Sequence, residues 1–220
     1  MKKIVLFGGG GHAKVIVDII EKEKLCQILG IIDSNHTLGT ECSGYPILGP
    51  ENELSHLIEK LNIDGGIIAI GDNWTRYLVA QNIFKMVPEF HFFNAIHPSA
   101  QIARQVTLKR GTVVMPGAIV NAGTKIGEFC IINTNSSIDH DNVIENYSSI
   151  MPNVTTGGNV RVGEFSALGM GSIILQKVQI GAHNVIGAGS VLLESTPDNS
   201  VVFGSPAVIK KTRNQGDPYL

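Results

Sequence analysis

The chain of 220 residues has few aromatic side chains, few cysteines and no long hydrophobic run. Phe, Tyr and Trp together make up only 6% of it, which leaves few bulky residues for a large layered core. Its three cysteines are odd in number and have no spacing typical of a metal site, so they indicate reduced thiols in a cytoplasmic protein. No stretch approaches the length of a membrane span. The apolar run Ile4–Phe7 is too short for the core of a signal peptide.

Charge of either sign is in no excess, since charged residues make up 16% of the chain and the net charge is −2. There is no basic stretch for nucleic acid and no acidic tail, so we expect neither a nucleic-acid partner nor membrane insertion. Glycine is abundant, with 25 residues. Many tight turns and few bulky residues together indicate a repetitive architecture with narrow coils.

Residues 1–92 alternate between strand-like and helix-like patterns. The predicted strands are KKIVLF, ILGIID and GGIIAIG, and the predicted helices are AKVIVDIIEKEK, residues Glu51–Leu61 and NWTRYLVAQNIFKM. This alternation predicts an α/β domain with a small parallel sheet, half of a Rossmann-like fold. Ligands of such sheets bind at the C-terminal ends of the strands. Those ends carry Gly8–His12, Asp33–Ser34 and Gly71–Asn73.

The second half of the chain has a period of six residues. Seventeen positions from Ile96 to Leu192 stand six apart, and 16 of them are aliphatic, Thr156 being the exception. Hexapeptide repeats of this kind predict a parallel β-helix, in which three flat faces make one coil of about 18 residues. The aliphatic side chain points into the prism, and a small residue four positions later fits the tight corner.

These periods divide the chain into an α/β domain over 1–92, a β-helix with a C-terminal cap over 93–211 and a polar tail over 212–220. A solenoid has open ends that need caps. We expect the N-terminal domain to cover one end of the prism and the segment VVFGSPAVIKK to fold against the other.

Five segments carry a family resemblance: FGGGGHAKV, AIGDNWTR, INTNSSIDHD, GGNVRVGE and FGSPA. With the repeat, they make nearly the whole chain resemble bacterial hexapeptide-repeat acyltransferases of the sialic-acid O-acetyltransferase type. Among these it is most similar to N-acetyltransferases of nucleotide-linked 4-amino-4,6-dideoxy sugars. The resemblance implies a left-handed β-helix, a homotrimer, no metal, and acetyl-CoA bound between adjacent β-helices. It also implies that the N-terminal domain holds the sugar nucleotide.

The resemblance also assigns roles by position. It implies catalytic roles for His140, Asp141 and Asn133. It implies coenzyme A contacts at Gly158, Met170 and Ala188, and Ser149 joins them where many relatives carry a second histidine. The implied substrate contacts are Gly10, Gly11, His12, Asp33, Ser34, Gly71 and Asn73. Two further departures are Ser34, where some relatives have a second acid, and Glu145, where a glycine is usual.

The sequence around His140 suits acetyl transfer to an amine. The amine loses a proton as it attacks a thioester, and a neutral histidine can accept that proton near pH 7. A carboxylate at the other ring nitrogen would fix the tautomer and stabilise the imidazolium. Asp141 is our first choice for that carboxylate, and Asp139 is the alternative. A backbone N–H or Asn133 would stabilise the oxyanion. Cys130 occupies a corner of the repeat, which favours direct attack without an acyl-enzyme.

Several alternatives stay open on the sequence alone. Gly8–Ala13 fits the pattern G-x-G-x-x-A, which also occurs in dinucleotide-binding domains. The acceptor could be a UDP-linked sugar of the bacillosamine type, our first choice, or GDP-perosamine or dTDP-viosamine. O-acetylation of sialic acid or another hydroxyl is a second function, and a non-catalytic sugar-nucleotide scaffold is a third. A zinc site at His97, His140 and His183 is excluded within one chain, because their spacing of 43 is no multiple of 18.

Overall fold

The computed structural model describes residues 1–218 and begins with a five-stranded sheet in the order β3-β4-β2-β1-β5. Its strands are β1 Lys2–Phe7, β2 Cys26–Ile32, β3 Glu41–Cys42, β4 Tyr45–Gly49 and β5 Gly65–Ile68. The helices are α1 Gly11–Glu23, α2 Leu54–Leu61 and α3 Asn73–Met86, and a 3-10 turn spans Glu51–Glu53. Strands β4, β2, β1 and β5 run parallel to one another, which confirms the predicted α/β half, and β3 pairs antiparallel with β4 at the edge.

Helix α3 begins and ends where the sequence predicts. Asp72 fixes its start by accepting a hydrogen bond from the Thr75 N–H at 2.8 Å. The hairpin of β3 and β4 is absent from the prediction. Its turn places Ser43 and Gly44 at φ of 53° and 80°, the conformation of a two-residue hairpin turn. A Ser-Gly pair next to a two-residue strand is too weak a pattern to find from the sequence.

From Ala95 onward the chain winds into a left-handed β-helix with three flat faces of parallel two-residue strands. Face one contains β6 Ala95–Ile96, β9 Val113–Val114, β12 Ile131–Ile132, β15 Ser149–Ile150, β18 Ala167–Leu168 and β21 Val185–Ile186. Face two contains β7 Gln101–Ile102, β10 Ile119–Val120, β13 Ser137–Ile138, β16 Thr155–Thr156, β19 Ile173–Ile174 and β22 Val191–Leu192. Face three contains β8 Thr107–Leu108, β11 Lys125–Ile126, β14 Val143–Ile144, β17 Arg161–Val162 and β20 Gln179–Ile180.

The six-residue ladder forms the core of the prism, as predicted. Strands 18 residues apart pair in register, as Ile138 does with Val120 and Thr156. Each member of the ladder from Val114 to Leu192 is at most 3% exposed. The small corner residues are buried as well, and several donate a hydroxyl hydrogen bond to the next coil, for example Ser148 to the Gly163 carbonyl at 2.8 Å.

Three corners join the faces: corner one–two, corner two–three and corner three–one. At every corner from residue 105 to residue 189, the third residue after the ladder position has a positive φ, between 53° and 75°. Ten of these residues are not glycine, and the left-handed conformation is uncommon for such residues. The repeat therefore imposes one backbone shape at each corner and leaves the side chain free to vary.

The N-terminal domain packs on the side of the prism, which corrects the expectation that it covers an end. Its α1 and β-sheet share a core with Val113 and Ile131 of face one, whose side chains point outward. At the first coil, where an end cap would lie, Ile102 remains 37% exposed. An α/β domain has a wide apolar face, and the side of the prism offers more apolar area than its narrow end.

The C-terminal segment extends the sheet of face one. Strand β23 Ser200–Gly204 pairs parallel with β21, and β24 Ala207–Thr212 folds back antiparallel to β23. Val202 is fully buried in the core of the prism. Within residues 1–218, no helix combines the length and apolarity that a membrane crossing requires.

Candidate active site

His140 and Asp141 form a hydrogen-bonded pair at corner two–three. The Nδ1 atom of His140 lies 2.8 Å from Oδ2 of Asp141, and both side chains are more than half exposed. Asp139 has a different role, because its Oδ1 accepts the backbone N–H of His140 at 2.8 Å. Of the two carboxylates that the sequence offers, Asp141 is therefore the one that contacts the imidazole. This leaves Nε2 of His140 as the ring atom that can accept a proton.

Two glycines in adjacent coils make room for this pair. A Cβ atom at Gly158, one coil further along, would lie 2.6 Å from Nε2 of His140. A Cβ atom at Gly123, one coil earlier, would lie 2.5 Å from Oδ1 of Asp141. Contacts this short do not occur between real atoms, so a side chain at either position would displace the histidine or the aspartate.

The electrostatics of the pair favour the imidazolium. The hydrogen bond to Asp141, followed by the charge of Asp139, raises the pKa of His140 above its ordinary value. A proton accepted during a reaction would therefore be stabilised where it arrives. Cys130 differs, since it is fully buried and burial raises the pKa of its thiol to about 12. It is not poised as a thiolate nucleophile.

An apolar groove of about 230 Å³ lies on face one and corner one–two. Met170 and Ala188, which the sequence predicts to stack one coil apart, both line it. The Phe203 ring forms another wall and occupies the space that a side chain at Gly187 would take. Asn133 lies at the same corner, two coils before Gly169 of the groove, and its Oδ1 accepts the Thr134 N–H at 2.7 Å. Its amide NH₂ group is thus the part that can donate to a ligand.

The glycine turn between β1 and α1 is open. Gly10 is the N-cap of α1 without a side-chain cap, and a Cβ at Gly10 or Gly11 would meet no atom within 4 Å. Open backbone N–H groups at a helix N-terminus suit a phosphate. Burial, followed by the charge of Arg76, lowers the pKa of the adjacent His12 to about 4, so its imidazole is neutral. Nε2 of His12 is buried and has no hydrogen-bond partner within residues 1–218.

The Asp33 carboxylate stabilises this turn by hydrogen bonds to backbone N–H groups. Its Oδ2 accepts the Gly9 N–H at 2.7 Å, its Oδ1 accepts the Asn35 N–H at 2.7 Å, and His36 Nδ1 lies 3.2 Å from Oδ1. Burial alone would raise the pKa of Asp33, but these hydrogen bonds outweigh it and lower the pKa. Ser34 and the His36 ring face solvent beside the turn, and no sequence motif marks His36.

Two residues predicted to contact ligands lie in the interface between the domains instead. Asn73 is 2% exposed, donates to the carbonyls of Phe165 and Ser166, and accepts the Ser149 hydroxyl at 2.6 Å. Ser149 is 1% exposed on face one beneath α3. The interface, rather than an open ligand surface, therefore holds both side chains. The carbonyl of Gly71 also faces inward and accepts a hydrogen bond from Arg76 at 2.9 Å.

Arg76 is the central residue of this interface, a role that was not predicted from the sequence. It is 1% exposed and donates to the carbonyls of Phe129 and Tyr147 in the β-helix and to that of Ile70 in the N-terminal domain. A lone arginine in a predicted helix usually indicates a solvated face, so no sequence pattern distinguished it. Among residues 1–218, no group of three or more His, Cys, Asp or Glu side chains could hold a metal ion.

Comparison with known proteins agrees with this architecture. Residues 3–83 match the family model described as the PglD N-terminal domain. A perosamine N-acetyltransferase from Caulobacter crescentus, solved as a histidine-to-asparagine variant with CoA and GDP-perosamine, is 34% identical over 96% of this chain and 98% of its own, with a TM-score of 0.90. The chain belongs to the hexapeptide-repeat N-acetyltransferases of nucleotide-linked amino sugars.

Other members of this family give weaker or partial matches. The acetyltransferase domain of PglB from Neisseria gonorrhoeae, solved with acetyl coenzyme A, is 29% identical over 95% of this chain and 99% of its own, with a TM-score of 0.86. The UDP-N-acetylbacillosamine N-acetyltransferase of Bacillus subtilis is 33% identical over 115 residues, which is 52% of each chain. The matched segment thus spans about half the length of that curated relative, and 17% of the GlmU protein of Caldanaerobacter subterraneus.

Proposed function

We propose that this protein transfers the acetyl group of acetyl-CoA to the 4-amino group of a nucleotide-linked 4-amino-4,6-dideoxy sugar, with His140 as general base. The observation that carries the proposal is the His140–Asp141 pair, in which Nδ1 lies 2.8 Å from Oδ2. The relatives that share this fold are N-acetyltransferases. Uncharged amines are good nucleophiles toward thioesters, so the reaction needs a proton acceptor and an oriented thioester more than a covalent intermediate.

In the proposed reaction the amine nitrogen attacks the thioester carbonyl carbon while Nε2 of His140 accepts the amine proton. Asp141 stabilises the imidazolium through Nδ1, at the geometry already present. The carbon–sulfur bond then breaks, and the coenzyme A thiolate takes the proton from His140. In this reaction the NH₂ group of Asn133 would donate to the oxyanion of a thioester bound in the apolar groove, and its position at the same corner as the groove supports this role.

We assign the acyl donor to the groove lined by Met170 and Ala188, because an apolar groove suits the pantetheine arm. Gly158 lies beside His140 and could meet the thioester end of the cofactor. The nucleotide sugar belongs at the open turn Gly10–His12, where the helix N-terminus suits its phosphates and neutral His12 can hydrogen-bond the hexose. Ser34 lies beside that turn and is available to the nucleotide.

The proposed site needs two copies of the chain. His140 is at corner two–three, whereas the groove is at face one and corner one–two, so one chain presents them on different edges of the prism. Face two lies between these edges and exposes the aliphatic side chains of Ile119 and Ile173. We propose that face two is buried in a homotrimer, which brings His140 of one copy against the groove of the next. Sedimentation should then give three times the chain mass of 23.6 kDa.

A mixed-chain experiment tests this arrangement. Chains with His140→Ala keep the groove, and chains with Ala188→Trp keep the histidine, so each should be inactive alone. Co-expressed, they should regain roughly a quarter of wild-type activity, because each mixed trimer contains one intact pairing. Two inactive variants that stay inactive when mixed would show that one chain supplies the complete site.

The acceptor is identified by free-thiol release from acetyl-CoA with a panel of UDP-, GDP- and dTDP-linked 4-amino sugars and free sialic acid. UDP-linked bacillosamine is the first choice from the sequence. The full-length similarity to the perosamine enzyme makes the GDP-linked sugar an equally strong candidate. Turnover with one amino sugar supports the proposal. Turnover with sialic acid alone would replace it by O-acetylation, and no turnover with any acceptor would favour a binding scaffold.

A further inference from the structure

Thr156 is the one polar residue in the aliphatic ladder, and neither the fold nor the proposed reaction accounts for it. It lies on β16, pairs with Ile138 of β13, and is 3% exposed. A buried hydroxyl is unfavourable unless it is hydrogen-bonded. Valine, which has nearly the same shape, occupies the equivalent position elsewhere in the prism, at Val120 and Val162.

The backbone hydrogen bonds show what the hydroxyl does. After each face-two strand, the next residue normally donates its N–H to the backbone carbonyl of the ladder residue one coil further along. Four residues follow this rule, each at 2.9 Å: Ala103 to Val120, Asn121 to Ile138, Gly157 to Ile174 and Leu175 to Leu192. Asp139 is the exception, since its N–H donates to the Thr156 Oγ1 at 3.2 Å. Asp139 is the first residue of the turn that carries His140.

A second observation concerns the same coil. Gly158 follows Thr156 by two residues and lies beneath the His140 imidazole. A Cβ atom at this position would be 2.6 Å from Nε2 of His140. Its φ lies outside the left-handed region, so the backbone itself does not require a glycine there. At the equivalent positions one and two coils earlier the chain has His140 and Ala122, and one coil later it has Gln176. The glycine is thus tied to the imidazole and not to the repeat.

We infer that Thr156 and Gly158 are positioning residues that seat the turn 139–141 and fix where Nε2 of His140 lies. The Thr156 hydroxyl accepts the Asp139 N–H, which in the other coils would donate to the backbone carbonyl of the ladder residue. Because Gly158 has no Cβ, the His140 imidazole can pack directly on its backbone. The functional meaning of this positioning rests on the proposed role of His140, but its effect on the His140 imidazole can be measured without turnover.

The decisive variant is Thr156→Val, with Thr156→Ser as its matched control. Valine restores the aliphatic ladder, so the protein should fold with an unchanged or higher Tm. Without the hydroxyl, the Asp139 N–H should return to the carbonyl of residue 156, as in the other coils, and the turn should move. We expect kcat to fall on the order of 10-fold to 10²-fold, since small displacements of a catalytic group have costs of this size. Serine keeps the hydroxyl and should retain kcat within about threefold of wild type.

NMR titration of histidine labelled at Cε1 gives a readout independent of turnover. If the turn moves, the contact with Asp141 weakens and the pKa of His140 should fall toward the ordinary value in Thr156→Val, while Thr156→Ser keeps the wild-type pKa. Gly158→Ala should also change the His140 titration, and a loss of cofactor contact alone would raise KM for acetyl-CoA without that change.

The outcomes separate the two proposals. A Thr156→Val protein with wild-type kcat, pH profile and His140 titration would overturn the seating inference. A lower Tm accompanied by unchanged kcat would do the same, because it would make Thr156 a structural residue. If His140→Ala remains active while Thr156→Val still shifts the His140 titration, the seat stands and the proposed base is wrong.

Discussion

Two corners of the same prism have become very different surfaces. At corner two–three the left-handed turn position holds Asp141, and the polar pair there is open to solvent. At corner three–one the same position holds an aromatic column, Phe129, Tyr147, Phe165 and His183, whose neighbouring rings stack at 5.1, 5.2 and 4.7 Å. Trp74 and Tyr77 of α3 pack against that column. The repeat fixes the backbone at both corners, and the side chains decide which one presents an exposed histidine–aspartate pair and which one holds a domain.

The largest expected effect is the loss of kcat in His140→Ala at corner two–three, compared with His183→Ala at corner three–one. His140→Ala should lower kcat by about 10²–10⁴-fold, the usual contribution of a general base, and leave Tm unchanged because the side chain is exposed. His183→Ala is the matched variant at the other corner. It removes a ring stacked on Phe165, so it should cost about 0.5–1.5 kcal/mol of stability and spare kcat. Steady-state kinetics and thermal unfolding measure both, and an exchange of the two outcomes would reverse the comparison.

The next effect concerns the attachment of the N-terminal domain to corner three–one. Arg76→Ala removes a buried guanidinium and leaves the Phe129 and Tyr147 carbonyls without their donor, so we expect a loss of about 2–4 kcal/mol in chemical denaturation. The pKa of His12 should rise at the same time, since the positive charge of Arg76 helps to lower it. Lys22→Ala is the control, because its exposed ion pair with Asp18 should contribute less than about 1 kcal/mol. Equal losses in the two variants would contradict the role given to Arg76.

A pH profile tests the electrostatics of corner two–three. The pKa of His140 is raised, first by Asp141, and a general base works only when neutral, so kcat/KM should rise as the pH passes that raised value. Asp141→Asn removes the main cause of the shift. The acidic limb of the profile should then move to lower pH, and kcat should fall by about tenfold because the imidazolium loses its partner. If the acidic limb of the Asp141→Asn profile stays at the wild-type pH, the group that titrates there is not His140.

The smallest effect comes from two glycines in the same turn position. Gly123 has φ of 75° and lies against Asp141, whereas Gly117 has φ of 69° and lies against Asn135 at corner one–two. Alanine at either should cost about 1–2 kcal/mol of stability through the same backbone strain. Only Gly123→Ala should alter the NMR titration of His140. A change in both variants would mean that the effect spreads through the coil instead of through Asp141.

The β-helix could be predicted almost completely from the sequence, because its period is long, uninterrupted and tied to one backbone shape. The ladder from Ile96 to Leu192 predicted the core, the faces and the corners. Thr156 was visible as an exception, but its partner lies 17 residues away in the chain, and only the coil geometry brings the two together.

The N-terminal domain was predicted in outline only. Its parallel strands and helices have clear patterns, yet the hairpin at Ser43–Gly44 and the docking of α3 depend on contacts that no period encodes. For this reason Asn73 was expected at the nucleotide and lies instead in the domain interface. His140 and Asp141 were found because the family motif names them, and their mutual contact needed the structure.

The most direct test is to identify the bond made in the product. Wild-type protein and His140→Ala would each be incubated with acetyl-CoA and the accepted nucleotide sugar, and the product examined by NMR and mass spectrometry. We expect an amide at the C-4 nitrogen from the wild type and almost none from the variant. An ester in the product, or an amide formed equally fast by His140→Ala, would contradict it.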